Sequence, residues 1–165
     1  MAGYKAHTAA GLLSAVGYVL LLGILPGAIW AKTGGLLSSW QFVSALFIVS
    51  MLFSLWPDID TNSRGQDIFF AFAFGLDIIL ISFGYLEAAA YLGLLAMTPI
   101  VGKHRGWTHT KLAMLLVPLP VVVVTYFYDP VVLPTALLVY GAAVAGYFSH
   151  LLLDGEITRK FRIKT

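Results

Sequence analysis

Four histidines and three or four carboxylates of this 165-residue chain could gather round a metal ion, and the leading candidates fall in four short stretches. His7 stands near the N-terminus, Asp58 and Asp60 in "PDID", His104 and His109 in "HRGWTH", and His150 and Asp154 in "SHLLLD". Imidazole and carboxylate are the donors left for a divalent cation when thiolate is missing, and the chain has no cysteine. For the same reason it has no disulfide and no cysteine nucleophile. Such a nitrogen and oxygen set suits zinc, with manganese or iron(II) as alternatives. The donors outnumber one tetrahedral site. From one to three ions are open, as is one ion whose imidazoles are oriented by neighbouring carboxylates.

The spacings say what each stretch must do locally. His150 and Asp154 are four apart, so on a helix they share one face a turn apart. They could ligate together, or Asp154 could orient His150. His104 and His109 are five apart, which on one straight helix would splay them by about 140°. A turn at Gly106, with a helix starting near Thr108 as its N-cap, would bring both rings together. Asp58 and Asp60 follow Pro57, and the turn or extended backbone that proline encourages lets both face one centre. Asp58, Asp60 and Asn62 also imitate a calcium loop. However, Ser63 stands where that loop needs glycine and Phe69 where it needs glutamate. Each stretch has a plainer reading: solvated acids at a helix end, interfacial histidines, a His–Asp pair bracing a bundle, an incidental N-terminal histidine.

The elements that must carry these residues are apolar. Hydrophobic residues make up 59% of the chain and charged residues 11%, against about a quarter in soluble domains. A bilayer span needs about 20 apolar residues. Six segments qualify or nearly so, at about 8–31, 39–56, 68–85, 88–102, 111–128 and 135–153. The expected fold is therefore all-α: a polytopic bundle of about six transmembrane helices, residues 1–165 forming one membrane-embedded domain. A soluble helical core is the bland alternative. Pro26 and Gly27 should kink the first helix, and Pro118 and Pro120 the fifth. Six spans place Lys5, Arg64, Lys103, Arg105, Lys111, Arg159, Lys160, Arg162 and Lys164 on one side and only Lys32 on the other. The positive-inside rule then puts both termini in the cytoplasm, while fusing segments three and four fits the charges worse. All four histidines fall at that cytoplasmic face, although the charge count did not use them.

Other residues take smaller roles. The first apolar run is too long for a signal peptide and reads as a retained helix. Asp77, in mid-segment, is a functional suspect by its depth but lies away from the cluster. Glu87 marks an outer loop, and Asp67 a helix cap or an orienting carboxylate. An aromatic belt accounts for Trp30, Trp40, Trp56 and Trp107. The basic tail at about 155–165 anchors topology and meets anionic lipid heads, with no nucleic-acid binding expected. Ser54 and Ser149 lie near the cluster, but no nucleophile elbow or phosphate loop accompanies them.

The order His7, "PDID", "HRGWTH", "SHLLLD" resembles the YdjM-like family of bacterial and archaeal inner-membrane proteins, described as metal-dependent hydrolases. The likeness spans His7 to Asp154 and is similar, more remotely, to the helical zinc-dependent phospholipase C and nuclease group. It implies His7, Asp58, Asp60, His104, His109, His150 and Asp154 as metal ligands, a multi-pass protein of the cytoplasmic membrane and a phosphoester substrate. Family members often continue past the final aspartate with a threonine and a glycine-containing apolar segment. Here a basic tail follows instead.

The function expected is a membrane-bound metal-dependent hydrolase acting on a lipid or lipid-linked phosphoester. Asp58, Asp60 or Asp154 would accept the proton of water, and Arg105 would clamp phosphate oxygens. Arg105 reads equally well as a topology anchor. The alternative is a non-enzyme whose metal site is structural, sensing or part of a transport path.

Overall fold

The structure, a computed structural model, describes residues 3–24, 35–59, 64–101 and 107–157. Among them every regular element is helical. We number the helices α1 (Tyr4–Ile24), α2 (Trp40–Leu55), α3 (Arg64–Ser82), α4 (Leu86–Val101), α5 (Lys111–Leu116), α6 (Leu119–Tyr128) and α7 (Leu133–Leu153). Short 3₁₀ turns cover Trp56–Asp58, Trp107–His109 and Pro130–Val132. Among the described residues four stretches are long and apolar enough to cross a membrane: Tyr4–Ile24, Trp40–Asp58, Arg64–Ser82 and Pro130–Leu153. Leu86–Met97 and Lys111–Phe127 are shorter apolar helices. Large apolar side chains such as Leu13, Ile24, Phe74 and Ile81 point outward, as a bilayer solvent permits.

Local chemistry sets the boundaries. Ser39 caps α2 by accepting from the Phe42 amide. Gly84, at φ +81°, ends α3, with the Tyr85 amide reaching back to Leu80 carbonyl at 2.8 Å. Val117-Pro118 divides the fifth apolar segment into α5 and α6, as the prolines there foretell. The Pro26-Gly27 kink falls outside the described residues. Gly155, at φ +71°, stops α7 directly after Asp154, and the Glu156 amide returns to Leu151 carbonyl at 2.9 Å.

Helices α1, α2 and α7 form the tightly packed centre, with α3 paired to α4 and α6 leaning on α7. Small residues let these backbones meet. A methyl group added at Gly146 would overlap the backbone of Ser50, and one at Gly11 would strike Ser54. Hydroxyls fasten the same seam: Ser50 Oγ donates to Gly11 carbonyl at 2.9 Å and lies 3.0 Å from Ser14 Oγ. Tyr18 donates to Leu138 carbonyl at 3.0 Å. A second core of Trp56, Ile59, Phe69, Ala73, Ala96, Ala113, Val117, Tyr147 and Leu151 ties α3, α4 and α5 to one end of this trio. Trp56 is wholly buried there, which corrects its assignment to an interfacial belt.

Candidate metal centre

The N-terminus of α1 and the C-termini of α2 and α7 lie together, and their end residues form the centre. His7 is in the second turn of α1; the helix starts at Tyr4, earlier than the apolar run alone suggests. Asp58 ends the 3₁₀ turn that follows α2. His150 is in the last turn of α7 and Asp154 is its C-cap. His109 comes from the 3₁₀ turn before α5.

That turn differs from expectation in one detail. Thr108 is not the helix cap. Thr110 is, accepting from the Ala113 amide at 3.1 Å. The extra 3₁₀ turn frees Thr108 for other bonds. Its carbonyl accepts from Tyr147 of α7, and its hydroxyl lies 3.2 Å from His109 Nδ1.

The side chains converge closely. His109 Nε2 lies 3.2 Å from Asp58 Oδ1 and 3.9 Å from Asp154 Oδ2. His150 Nε2 lies 3.6 Å from Asp154 Oδ2, 3.8 Å from Asp58 Oδ1 and 3.3 Å from His109 Nε2. One donor atom from each of Asp58, His109, His150 and Asp154 falls within 4.8 Å of every other. His7 stacks on His150, ring centroids 4.0 Å apart and planes 19° from parallel. Side-chain exposure is 1% for His7, 0% for His150, 7% for His109 and 3% for Asp154, but 23% for Asp58. Asp58 is therefore the side from which a molecule can approach.

Two features show that these donors suit a divalent cation. His150 Nδ1 is 2.8 Å from Ser54 carbonyl, so that nitrogen carries the proton and the Nε2 lone pair faces the carboxylates. Metal-binding histidines are oriented by the same kind of bond. Asp154 shares the Nε2 side of the ring, while the Ser54 carbonyl orients it from the Nδ1 side. Second, both carboxylates end helices at their C-termini, where the dipole disfavours an anion by about 0.3–1 kcal/mol each. A cation between them would reverse that cost.

Asp60, His104 and Arg105 lie outside the described residues. Asp67 is exposed in the first turn of α3, where an acid complements the dipole. Asp77 is in the middle of α3 against Gly93 of α4. Ser54 and Ser149 hydroxyls donate within their own helices, to Met51 and Gly146 carbonyls, so neither is placed as a nucleophile. Sequence reasoning missed the Ser54 carbonyl and Tyr147, and gave Thr108 the capping role that belongs to Thr110. A backbone carbonyl leaves no signature in a sequence. Tyr147, in an apolar run one turn before the His150–Asp154 pair, could have been noticed.

No curated protein and no solved structure significantly resembles the chain. The family description "YdjM inner membrane protein", by contrast, matches residues 5–162, from just before His7 to well past Asp154. Covered over nearly its whole length, the chain belongs to the YdjM inner membrane protein family.

Proposed function

We propose that this protein is a membrane-embedded, metal-dependent hydrolase working at the cytoplasmic face on a lipid or lipid-linked phosphoester. The observation that carries the reading is the His150 ring, held through Nδ1 with its Nε2 turned toward two aspartates and a second histidine. Asp58, His109, His150 and Asp154 would hold the ion, with His7 beside them. Zinc fits the donors, as do manganese and iron(II). When bound, the ion supplies Lewis-acid polarisation and acidifies water near neutrality.

The chain's own residues do the remainder. The Ser54 carbonyl and Thr108 hydroxyl fix the two rings. The buried walls exclude bulk water, which strengthens every charge interaction inside. One of Asp58, Asp60 and Asp154 would accept a proton from water, and Asp58 is the most exposed of the five grouped side chains. Arg105, four residues before His109 in the chain, would clamp phosphate oxygens in two-point fashion. A site at the ends of three apolar helices favours a substrate whose tail stays in the bilayer. The topology that accompanies this reading has six spans and both termini in the cytoplasm, supported by the charge bias.

The deep burial of four of the five side chains favours a second reading, a structural metal site that ties α1, α2 and α7 together. Turnover separates the two. Protein in lipid nanodiscs is stripped with chelator, reloaded with zinc or manganese, and offered phospholipids and prenyl phosphates. Hydrolysis that returns with the metal supports the enzyme. Metal binding without turnover of any of them leaves the structural site, and turnover by the stripped protein contradicts the mechanism.

A further inference from the structure

The two carboxylates divide their oxygens between two sides of the centre. Asp58 Oδ1 lies 3.2 Å from His109 Nε2 and 3.8 Å from His150 Nε2, whereas Oδ2 lies 3.9 Å from His7 Nε2. Asp154 repeats the division. Its Oδ2 lies 3.6 Å from His150 Nε2 and 3.9 Å from His109 Nε2, and its Oδ1 lies 3.6 Å from His7 Nε2. His7 is the second, independent observation. Its side chain is 1% exposed, and neither ring nitrogen has a hydrogen-bond partner among the described residues. A buried polar ring ordinarily finds a partner. Stacking on His150 accounts for the position of the His7 ring but satisfies neither nitrogen.

We infer that the centre holds two divalent cations bridged by Asp58 and Asp154, the second ion lying on the His7 side. This rests on the metal-centre reading above and extends it. The first side gathers four donors, His109 Nε2, His150 Nε2, Asp58 Oδ1 and Asp154 Oδ2. Among the described residues the His7 side gathers three, His7 Nε2, Asp58 Oδ2 and Asp154 Oδ1. Paired cations suit a phosphomonoester or phosphodiester, because they can neutralise oxygens on both sides of the displaced bond.

The test uses the full chain in nanodiscs, freed of metal and titrated with Mn²⁺. Calorimetry counts the ions, and electron paramagnetic resonance reports whether they are coupled. The wild type should take two equivalents and show the spectrum of a spin-coupled pair. His7→Gln should take one and show an isolated ion, and that retained ion also reports an intact fold. Saturation of the wild type at one equivalent, with only an uncoupled signal, overturns the inference while leaving a mononuclear centre standing. Retention of two coupled ions by His7→Gln overturns the role of His7. No Mn²⁺ binding by the wild type overturns the metal-centre reading itself. Should His7→Gln fail to fold, coupling in the wild type still decides.

Discussion

Gly146→Ala tests whether helix packing positions the centre. The added methyl would meet Ser50 backbone carbon and oxygen atoms, which cannot rotate away as a side-chain end could. Restoring ordinary carbon contacts requires α2 and α7 to separate by on the order of 1 Å. Overpacking of this kind costs about 1–3 kcal/mol. The same separation reaches the centre, because Ser54 and His150 lie one turn beyond Ser50 and Gly146 respectively. Their 2.8 Å bond would lengthen past hydrogen-bonding range. Loss of a bond that orients a ligating histidine lowers metal affinity roughly 10–100-fold. Gly17→Ala is the matched control, since nothing lies within 4 Å of the methyl it adds. It should leave metal affinity unchanged and raise stability by up to about 1 kcal/mol. Thermal unfolding and zinc titration of both variants in nanodiscs provide the measurements. Wild-type stability and wild-type affinity in Gly146→Ala would refute the reasoning.

Further outcomes follow from other contacts. Tyr147→Phe leaves the buried Thr108 carbonyl without its donor, so it should destabilise the fold by about 1–3 kcal/mol and weaken metal binding through His109; calorimetry and metal titration check both. Asp77→Asn should leave metal content unchanged, because Asp77 packs in mid-α3 against Gly93; elemental analysis decides. Single cysteines placed at residues 33 and 62 of this cysteine-free chain should label from opposite sides of the membrane, with residue 62 and both termini accessible from the cytoplasm. Labelling of both from one side would remove the six-span topology.

The parts of the centre that were legible in the sequence are those whose geometry is local. The four-residue spacing of His150 and Asp154 put them on one helical face, and Pro57 set Asp58 in a turn. Charge counting puts the three histidine-bearing stretches at one end of the bundle, and the structure brings His7, His109 and His150 together. His7 was the weakest candidate from sequence because a single histidine near a terminus carries no pattern; its burial against His150 comes from α1 packing against both α2 and α7. The seam that brings those helices together was partly visible, since small residues recur through Gly141-Ala142-Ala143 and at Gly146. Its register was not, because which glycine meets Ser50 depends on how the helices cross. Thr108 and Thr110 are both acceptable caps by residue type. Only the 3₁₀ turn at Trp107–His109 assigns the cap to Thr110. The aromatic belt failed at Trp56 because a tryptophan at a helix end looks the same whether it faces lipid heads or a core beside the centre.

Elemental analysis of the purified chain, set beside His109→Ala and His150→Ala, tests the central claim most directly. The wild type should carry at least one equivalent of a divalent cation and lose stability when chelator removes it. Both variants should carry markedly less. A wild type that is free of metal after purification, takes none up on titration and unfolds at the same temperature with or without chelator would contradict it.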